Sequence, residues 1–473
     1  MASYEAIKNF DEDENDDDVE LALHHNQISE SRSATVFTNG ETARPHIHSN
    51  KKVEERSSSS SSTSTSKLQP QSPSQPQTKS QRLVSLDVFR GLTVALMILV
   101  DDVGGILPAL NHSPWNGLTL ADYVMPFFLF IVGVSLALTY KKLSCRVIAT
   151  RKAILRALKL LAVGLFLQGG YIHRLNDLTY GVDMKQIRWM GILQRIAVAY
   201  VLAALCEIWF KGDDTVNSGP SLLRKYQYQW AVALFLCFLY LCLLYGLYVP
   251  DWEYQILSEP SSVPKIFSVK CGVRADTRPA CNAVGMIDRK ILGIQHLYRR
   301  PIYARMPECS INSPDYGPLP PDAPAWCQAP FDPEGLLSSV MAIVTCLVGL
   351  HYGHIIVHFK DHRVRIIYWM IPTSCLVVFG LVLDLFGMHI NKVLYSFSYM
   401  CVTAGAAGIL FVAIYLMVDV CGYSRMTIIM EWMGKHALMI YILAACNVFP
   451  IFLQGFYWGN PQNNILKLIG VGT

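Results

Sequence analysis

The 473-residue chain is 52% hydrophobic and only 16% charged, well short of the roughly 25% charge of a soluble domain. Apolar runs of membrane-spanning length recur along it, which excludes an ordinary soluble globule and points to a polytopic α-helical membrane protein. A formal net charge of +4 is small for this length. No nucleic-acid motif, P-loop, dinucleotide glycine fingerprint, H-E-x-x-H or C-x-x-C is present, so the sequence offers neither a nucleic-acid partner nor a metal site.

Residues 1–82 are polar. An acidic block runs from Asp11 to Asp18, a Ser/Thr run from Ser57 to Ser66, and a Pro/Gln/Ser stretch follows to Ser80. Such a segment buries too little apolar surface to offset its ordering entropy and reads as a disordered tail. It lacks the apolar core of a cleavable signal peptide, so the first span must direct insertion. Residues 83–458 read as one transmembrane domain and 459–473 as a short tail. The fold expected is an all-α transmembrane bundle of about nine to ten spans. The spans are placed near 86–108, 118–140, 153–171, 190–210, 229–249, 335–357, 366–388, 394–418 and 428–454.

Lys141, Lys142 and Arg146 follow the second span, Lys211, Arg224 and Lys225 the fourth, and Lys360, Arg363 and Arg365 the sixth. Basic residues gather in cytosolic turns, so those turns and the N-terminus are predicted to be cytosolic. The long polar segment 250–334 then becomes a lumenal loop. It holds Cys271, Cys281, Cys309 and Cys327, an even count that predicts disulfides in an oxidising compartment. The other cysteines lie mostly in apolar runs, where they act as small apolar residues.

The richest stretch runs from Ser85 to Tyr140. Two apolar runs flank a polar turn, Asn111 to Asn116, at the lumenal face. His112 in that turn is the leading candidate for chemistry, because imidazole titrates near neutrality. Asp101 and Asp102 end the preceding helix. Gly104, Gly105 and Pro108 are able to break that helix and fold His112 back toward Asp101. The two carboxylates diverge by about 100° on a helix, so one of them at most faces the ring. The plainer reading of His112 is an interfacial helix cap. Asn116, Thr119 and Asp122 recur every three residues on one side of the next helix and are expected to bind an acceptor or hold the His. Asp87 and Arg90 share a face and read as a structural ion pair. Asp332 and Glu334 suit the dipole at the start of the sixth span.

Several motifs recur in a fixed order: S-x-D-x-F-R-G from Ser85, and H-x-x-W-x-G-x-T-x-A-D-x-V-x-P from His112. R-W-M-G-I-L-Q-R-I follows from Arg188, G-x-I-D-R-x-x-L-G-x-x-H-L-Y from Gly285, and D-P-E-G-L-L-S from Asp332. Together, over about Leu83 to Phe456, they resemble the heparan-α-glucosaminide N-acetyltransferase family. The resemblance implies an acyltransferase that moves acetyl from cytosolic acetyl-CoA to a lumenal or extracellular amino sugar. Its setting would be the endomembrane system (lysosome- or vacuole-like) or the plasma membrane. Its partners would be the bilayer, acetyl-CoA and an amine acceptor, with homo-oligomers allowed and no metal. His112 matches the family's catalytic His, as either a general base or a nucleophile forming an acetyl-imidazole. Arg188, Gln194 and Arg195 are expected to bind acetyl-CoA, the alternative being an intramembrane salt bridge. Asp101 stands where family members have Asn, which exchanges a hydrogen-bond donor for an acceptor. The chain ends soon after Trp458, where family members continue into another span, so the ending reads as truncated. An O-acyltransferase acting on a glycan or lipid is a close variant. The rival is a transporter or a non-catalytic receptor, since carriers also use intramembrane Asp, Arg and His.

Overall fold

The computed structural model describes residues 83–446 except 105–109, 143–144, 169–171, 175–178, 181, 183, 186, 213–214, 257–264, 299–300 and 424. The proposed tail 1–82 and the residues 459–473 fall outside the described residues.

Twelve α-helices are described: α1 Val84–Val103, α2 Leu120–Thr139, α3 Arg146–Leu167, α4 Ile192–Trp209, α5 Gly219–Lys225, α6 Gln227–Gly246, α7 Ala283–Ile291, α8 Leu336–His358, α9 His362–Leu385, α10 Phe397–Tyr415, α11 Ile428–Lys435 and α12 Ala437–Ala445. A π-helical turn, Leu416–Val420, extends α10. Six helices are long and apolar enough to cross a bilayer: α2, α4, α6, α8, α9 and α10 with its extension. A seventh crossing is made if α11 and α12, bent by 77°, act as one broken span. The sequence led us to expect about nine to ten. The difference lies in charge. α1 carries Asp87, Arg90, Asp101 and Asp102, and α3 carries Arg146, Arg151, Lys152, Arg156 and Lys159.

α8 forms the hub. It is apolar on every face, and 83% of its apolar window is buried, against 17% for α9. A helix apolar all round belongs inside a bundle or against lipid, and these two figures assign α8 to the first place and α9 to the second. Glycines let α2 lie directly on α8. A Cβ at Gly133 would sit 2.0 Å from the Cys346 carbonyl oxygen, and one at Gly349 would sit 2.1 Å from that of Phe130. Small residues at such seams allow backbone-to-backbone packing where water supplies no hydrophobic drive. Phe89, Phe130, Tyr352, Trp369 and Phe411 fill the middle with rings 4.9–6.4 Å apart.

Between α6 and α8 lies an irregular insert. It contains two antiparallel ribbons, 248–249 with 273–274 and 252–256 with 265–269, and the helix α7. Disulfides join Cys271 to Cys281 and Cys309 to Cys327. Its aromatic centre, Tyr303 with Trp326 and Phe331, closes over Trp115 from the turn before α2. The Trp115 indole N–H donates to the Thr277 carbonyl at 3.2 Å. The insert therefore seats directly on the His112 turn.

Candidate active site

α2 begins with a reciprocal cap. The Asp122 Oδ2 accepts from the Thr119 N–H at 3.0 Å and the Thr119 hydroxyl at 2.9 Å, while the Asp122 N–H donates to the Thr119 carbonyl at 3.1 Å. A carboxylate in the first turn satisfies an otherwise unpaired donor and suits the helix dipole. The Ser113 N–H adds a bond to the same oxygen at 3.3 Å. Oδ1 remains, and it meets His112 Nδ1 at 2.9 Å. The Asp122 side chain is fully buried, while that of His112 is 44% exposed.

Three further elements hold the turn. Arg305 of the insert donates to the His112 carbonyl at 2.6 Å. Tyr399 of α10 donates its hydroxyl to the Asp122 carbonyl at 2.5 Å. The 386–396 connection lies alongside, with the Gly117 N–H donating to the Ile390 carbonyl at 2.9 Å and the Asn391 amide to Asn116 Oδ1 at 3.2 Å. Gly117 has φ +111°, a conformation open to glycine at no steric cost. This pairing delivers Lys392. Its Nζ lies 2.7 Å from His112 Nδ1, 3.1 Å from Nε2 and 3.6 Å from Asp122 Oδ1.

A second layer backs the first. Arg188 grips Asp332 through two bonds of 2.9 and 2.6 Å and reaches Glu334 at 2.5 Å. Arg195 donates to the Pro333 carbonyl at 2.7 Å, to Ser338 at 2.5 Å and to Ser339 at 3.3 Å. The first free N–H of α8, from Leu336, goes to Asp288 Oδ1 at 2.8 Å. Asp288 can come this close because residue 335 is glycine, where a Cβ would sit 1.8 Å from Oδ2.

Burial first, and then the Lys392 ammonium, hold the His112 ring below its ordinary pKa, and the Asp122 bond pulls the other way without prevailing. Burial likewise lowers Lys392, opposed by Asp122 and Glu334. Burial acts against the Glu334 carboxylate, but Arg188, Arg195 and Lys392 outweigh it and keep it below the usual range.

The structure thus gathers His112, Thr119 and Asp122, with Asn116 tying their turn to Asn391. Asp101 is exposed at the last turn of α1; among the described residues the carboxylate in contact with His112 is Asp122. Gly105 and Pro108, expected to fold the turn back, lie outside the described residues. Arg188 and Arg195 are engaged within the protein, while the buried Gln194 amide nitrogen has no hydrogen-bond partner. Asp332 and Glu334 precede α8 and hold Arg188, and the cap falls to Asp288. Arg90 meets Asp87 at 3.4 Å, with further bonds to the Gly434 carbonyl and Ser135. Sequence reasoning missed Lys392, Arg305, Tyr399 and Asp288. For Lys392 a signal existed: a basic residue in the short turn opposite the basic faces, on the side where His112 was placed. The other three carried none, because their partners lie far off in sequence.

A bundle that holds six helices long and apolar enough to cross a bilayer, with a His–carboxylate pair at its end, defines a class, the polytopic membrane protein. A family model described as heparan-alpha-glucosaminide N-acetyltransferase, catalytic, matches residues 82–213, which include the His112 turn and Arg188. A heparan-alpha-glucosaminide N-acetyltransferase of Mus musculus is 28% identical over 397 residues, 78% of this chain and 56% of its own length. That of Homo sapiens is 27% identical over 388 residues, 76% of this chain and 52% of its own length. The chain is thus similar to heparan-alpha-glucosaminide N-acetyltransferases, and it spans about half the length of the curated relatives it matches.

Proposed function

We propose that the protein is a transmembrane N-acetyltransferase that moves acetyl from cytosolic acetyl-CoA to a lumenal or extracellular amino sugar, with His112 Nε2 as the reacting nitrogen. The observation that carries this reading is the 2.9 Å contact of His112 Nδ1 with a carboxylate that Thr119 and Ser113 already fix in place. Asp122 can only accept, so Nδ1 carries the proton and Nε2 keeps its lone pair. The carboxylate also stabilises the imidazolium that forms when Nε2 takes a proton from the amine or an acyl group from the donor. The similarity to that family supports the donor, acetyl-CoA. On the protein side, the unpartnered Gln194 amide offers it a free hydrogen-bond donor, whereas Arg188 and Arg195 brace the wall instead of gripping phosphates. In this reading α1 and α3 also cross the bilayer, the N-terminus is cytosolic and the disulfide-bearing insert is lumenal. The setting is an endomembrane of lysosome or vacuole type.

The test is acetyl transfer from labelled acetyl-CoA to glucosamine by the purified full chain. A positioned base contributes about 10²- to 10⁴-fold, so His112→Ala should lose at least that order while still binding the donor. Acid-quenched mass spectrometry separates the two roles: an acetyl group retained on His112 marks a nucleophile, and its absence during turnover marks a base. Full activity of His112→Ala would overturn the reading and favour a carrier or receptor.

A further inference from the structure

We propose that Lys392 is a positioning residue that keeps the His112 ring neutral, so that the Nε2 lone pair is present even in an acidic compartment. The inference rests on the reading of His112 as the reacting group, and it concerns what sets the state of that group.

The geometry carries it. A neutral imidazole has one N–H, and Nδ1 gives it to Asp122. Nζ of Lys392 lies 3.1 Å from Nε2, and an ammonium can only donate. Nζ is nearer to Nδ1 than to Nε2, so it lies beside the ring, off the outward direction of the Nε2 lone pair, and leaves that lone pair open. A proton on Nε2 would set two donors, both cationic, against each other at that distance. The shorter approach of Nζ to Nδ1, 2.7 Å, is a contact without a shared proton, because Nδ1 has already donated. It tightens the same repulsion. Like charges this close cost several kcal/mol even at an effective dielectric of about 20.

The other charges around the ring argue in the opposite direction, so Lys392 is the charge that joins burial in opposing them. Asp122 on α2 and Glu334 ahead of α8 both favour the imidazolium. A His facing two carboxylates would ordinarily be charged at and somewhat above neutral pH. Arg305 from the insert meets the His112 carbonyl, not the ring. Asp101 at the end of α1 and Arg195 on α4 couple to Lys392 and leave the ring itself alone. Asp122 and Glu334 in turn favour the ammonium of Lys392 and oppose the burial that lowers it, so the same carboxylates act on both groups. The 386–396 connection is pinned through the Asn391 side chain to Asn116 and through the Gly117 N–H to the Ile390 carbonyl, which sets the Lys392 backbone beside the His112 turn.

Diethyl pyrocarbonate acylates neutral imidazole and spares imidazolium, so it reads His112 without any acetyl transfer. The full chain in detergent is labelled from pH 5 to 8, and carbethoxylation of His112 is followed by peptide mass spectrometry. The wild-type midpoint should fall below the ordinary His value of about 6.5. In Lys392→Gln it should rise by about one unit or more, cutting His112 labelling at pH 5.5 by up to about tenfold, the limit that one unit sets well below the midpoint. Lys392→Arg, which keeps the charge, should retain the low midpoint. The loss of acetyl transfer in Lys392→Gln should be greater at pH 5.5 than at pH 8. Coincident midpoints for wild type and Lys392→Gln overturn the proposal. If the Gln variant does not fold, a wild-type midpoint at or above about 6.5 overturns it alone. A shifted midpoint in a protein that transfers no acetyl leaves this inference standing and removes the proposed function instead.

Discussion

Among the described residues two histidines pair with a fully buried carboxylate, one near each end of α8. At the N-terminal end His112 meets Asp122 at 2.9 Å, and at the C-terminal end His354 meets Glu207 at 2.7 Å. Both carboxylates are fully buried, and each has a lysine nearby, Lys392 in one case and Lys211 in the other. Yet the His354 side chain is 2% exposed and that of His112 is 44% exposed. His354 lies flat against Tyr226, with ring centroids 3.5 Å apart, and the Gln229 amide donates another bond to Glu207 at 3.0 Å. This pair is closed to solvent. A His–carboxylate contact is therefore not a site by itself; one ring nitrogen must also face space that a substrate can enter. The same bond serves packing at one end of α8 and chemistry, as proposed, at the other.

Mutations at the two ends should separate in kind. Asp122→Asn should cost the most activity. The amide can donate to Nδ1 and so favour the wrong tautomer, and the analogous change in a serine-protease triad costs about 10⁴-fold. Acetyl transfer should fall by about 10³-fold or more with the melting temperature little changed. A variant that melts early but retains its rate per folded molecule would make the two pairs alike and erase the contrast. His354→Leu should do the reverse. It leaves Glu207 short of one buried partner, a loss of about 1–3 kcal/mol, so the protein should melt earlier while transfer per folded molecule persists.

Between these lies the insert that covers the His112 end. The Cys309–Cys327 bridge closes 18 residues, and a loop of that length is worth about 3 kcal/mol. Cys309→Ser together with Cys327→Ser should lower the melting temperature and expose 301–331 to protease before the helices. A doubly substituted insert as resistant as the native one would mean that its aromatic centre suffices.

A last effect expected is one of pH. Burial pushes the Asp288 carboxyl up to about 7, although the Leu336 N–H opposes it. A carboxyl whose folded value exceeds its unfolded value of about 3.9 binds more protons in the folded state. Stability at this position therefore falls as pH rises from about 4 to about 7 and levels off above. Asp288→Asn should flatten that slope in a thermal-shift series. An unchanged slope would show that the cap of α8 does not set it.

Much of this was legible before the fold was known. The apolar runs announced the helices, and the order of motifs announced the family. The His112 turn stood out because charged and polar residues between two long apolar runs are conspicuous. Asp122 was legible as one of three residues expected to bind an acceptor or hold the His, while Asp101 was expected to orient it. Sequence distance could not choose between two carboxylates about equally far from His112, and it is the helix cap that aims Asp122 backward across the turn. Arg188 was read as a ligand for phosphate because its partners, Asp332 and Glu334, lie more than a hundred residues away and looked sufficient as helix-dipole acids.

Composition and periodicity alone determined that this chain is built of apolar helices with one long polar insert, because burial in lipid leaves few other choices for a backbone that must satisfy its own hydrogen bonds. They also determined that His112 sits at a helix boundary. Only the tertiary structure decided which charges surround that ring. Lys392 arrives 280 residues later through the pairing of Asn391 with Asn116, and Arg305 arrives from the insert. The physical reason is one of range. Helix formation is written in neighbours three and four residues apart, whereas the electrostatic state of a buried group depends on every charge within a few ångströms, whatever its place along the chain.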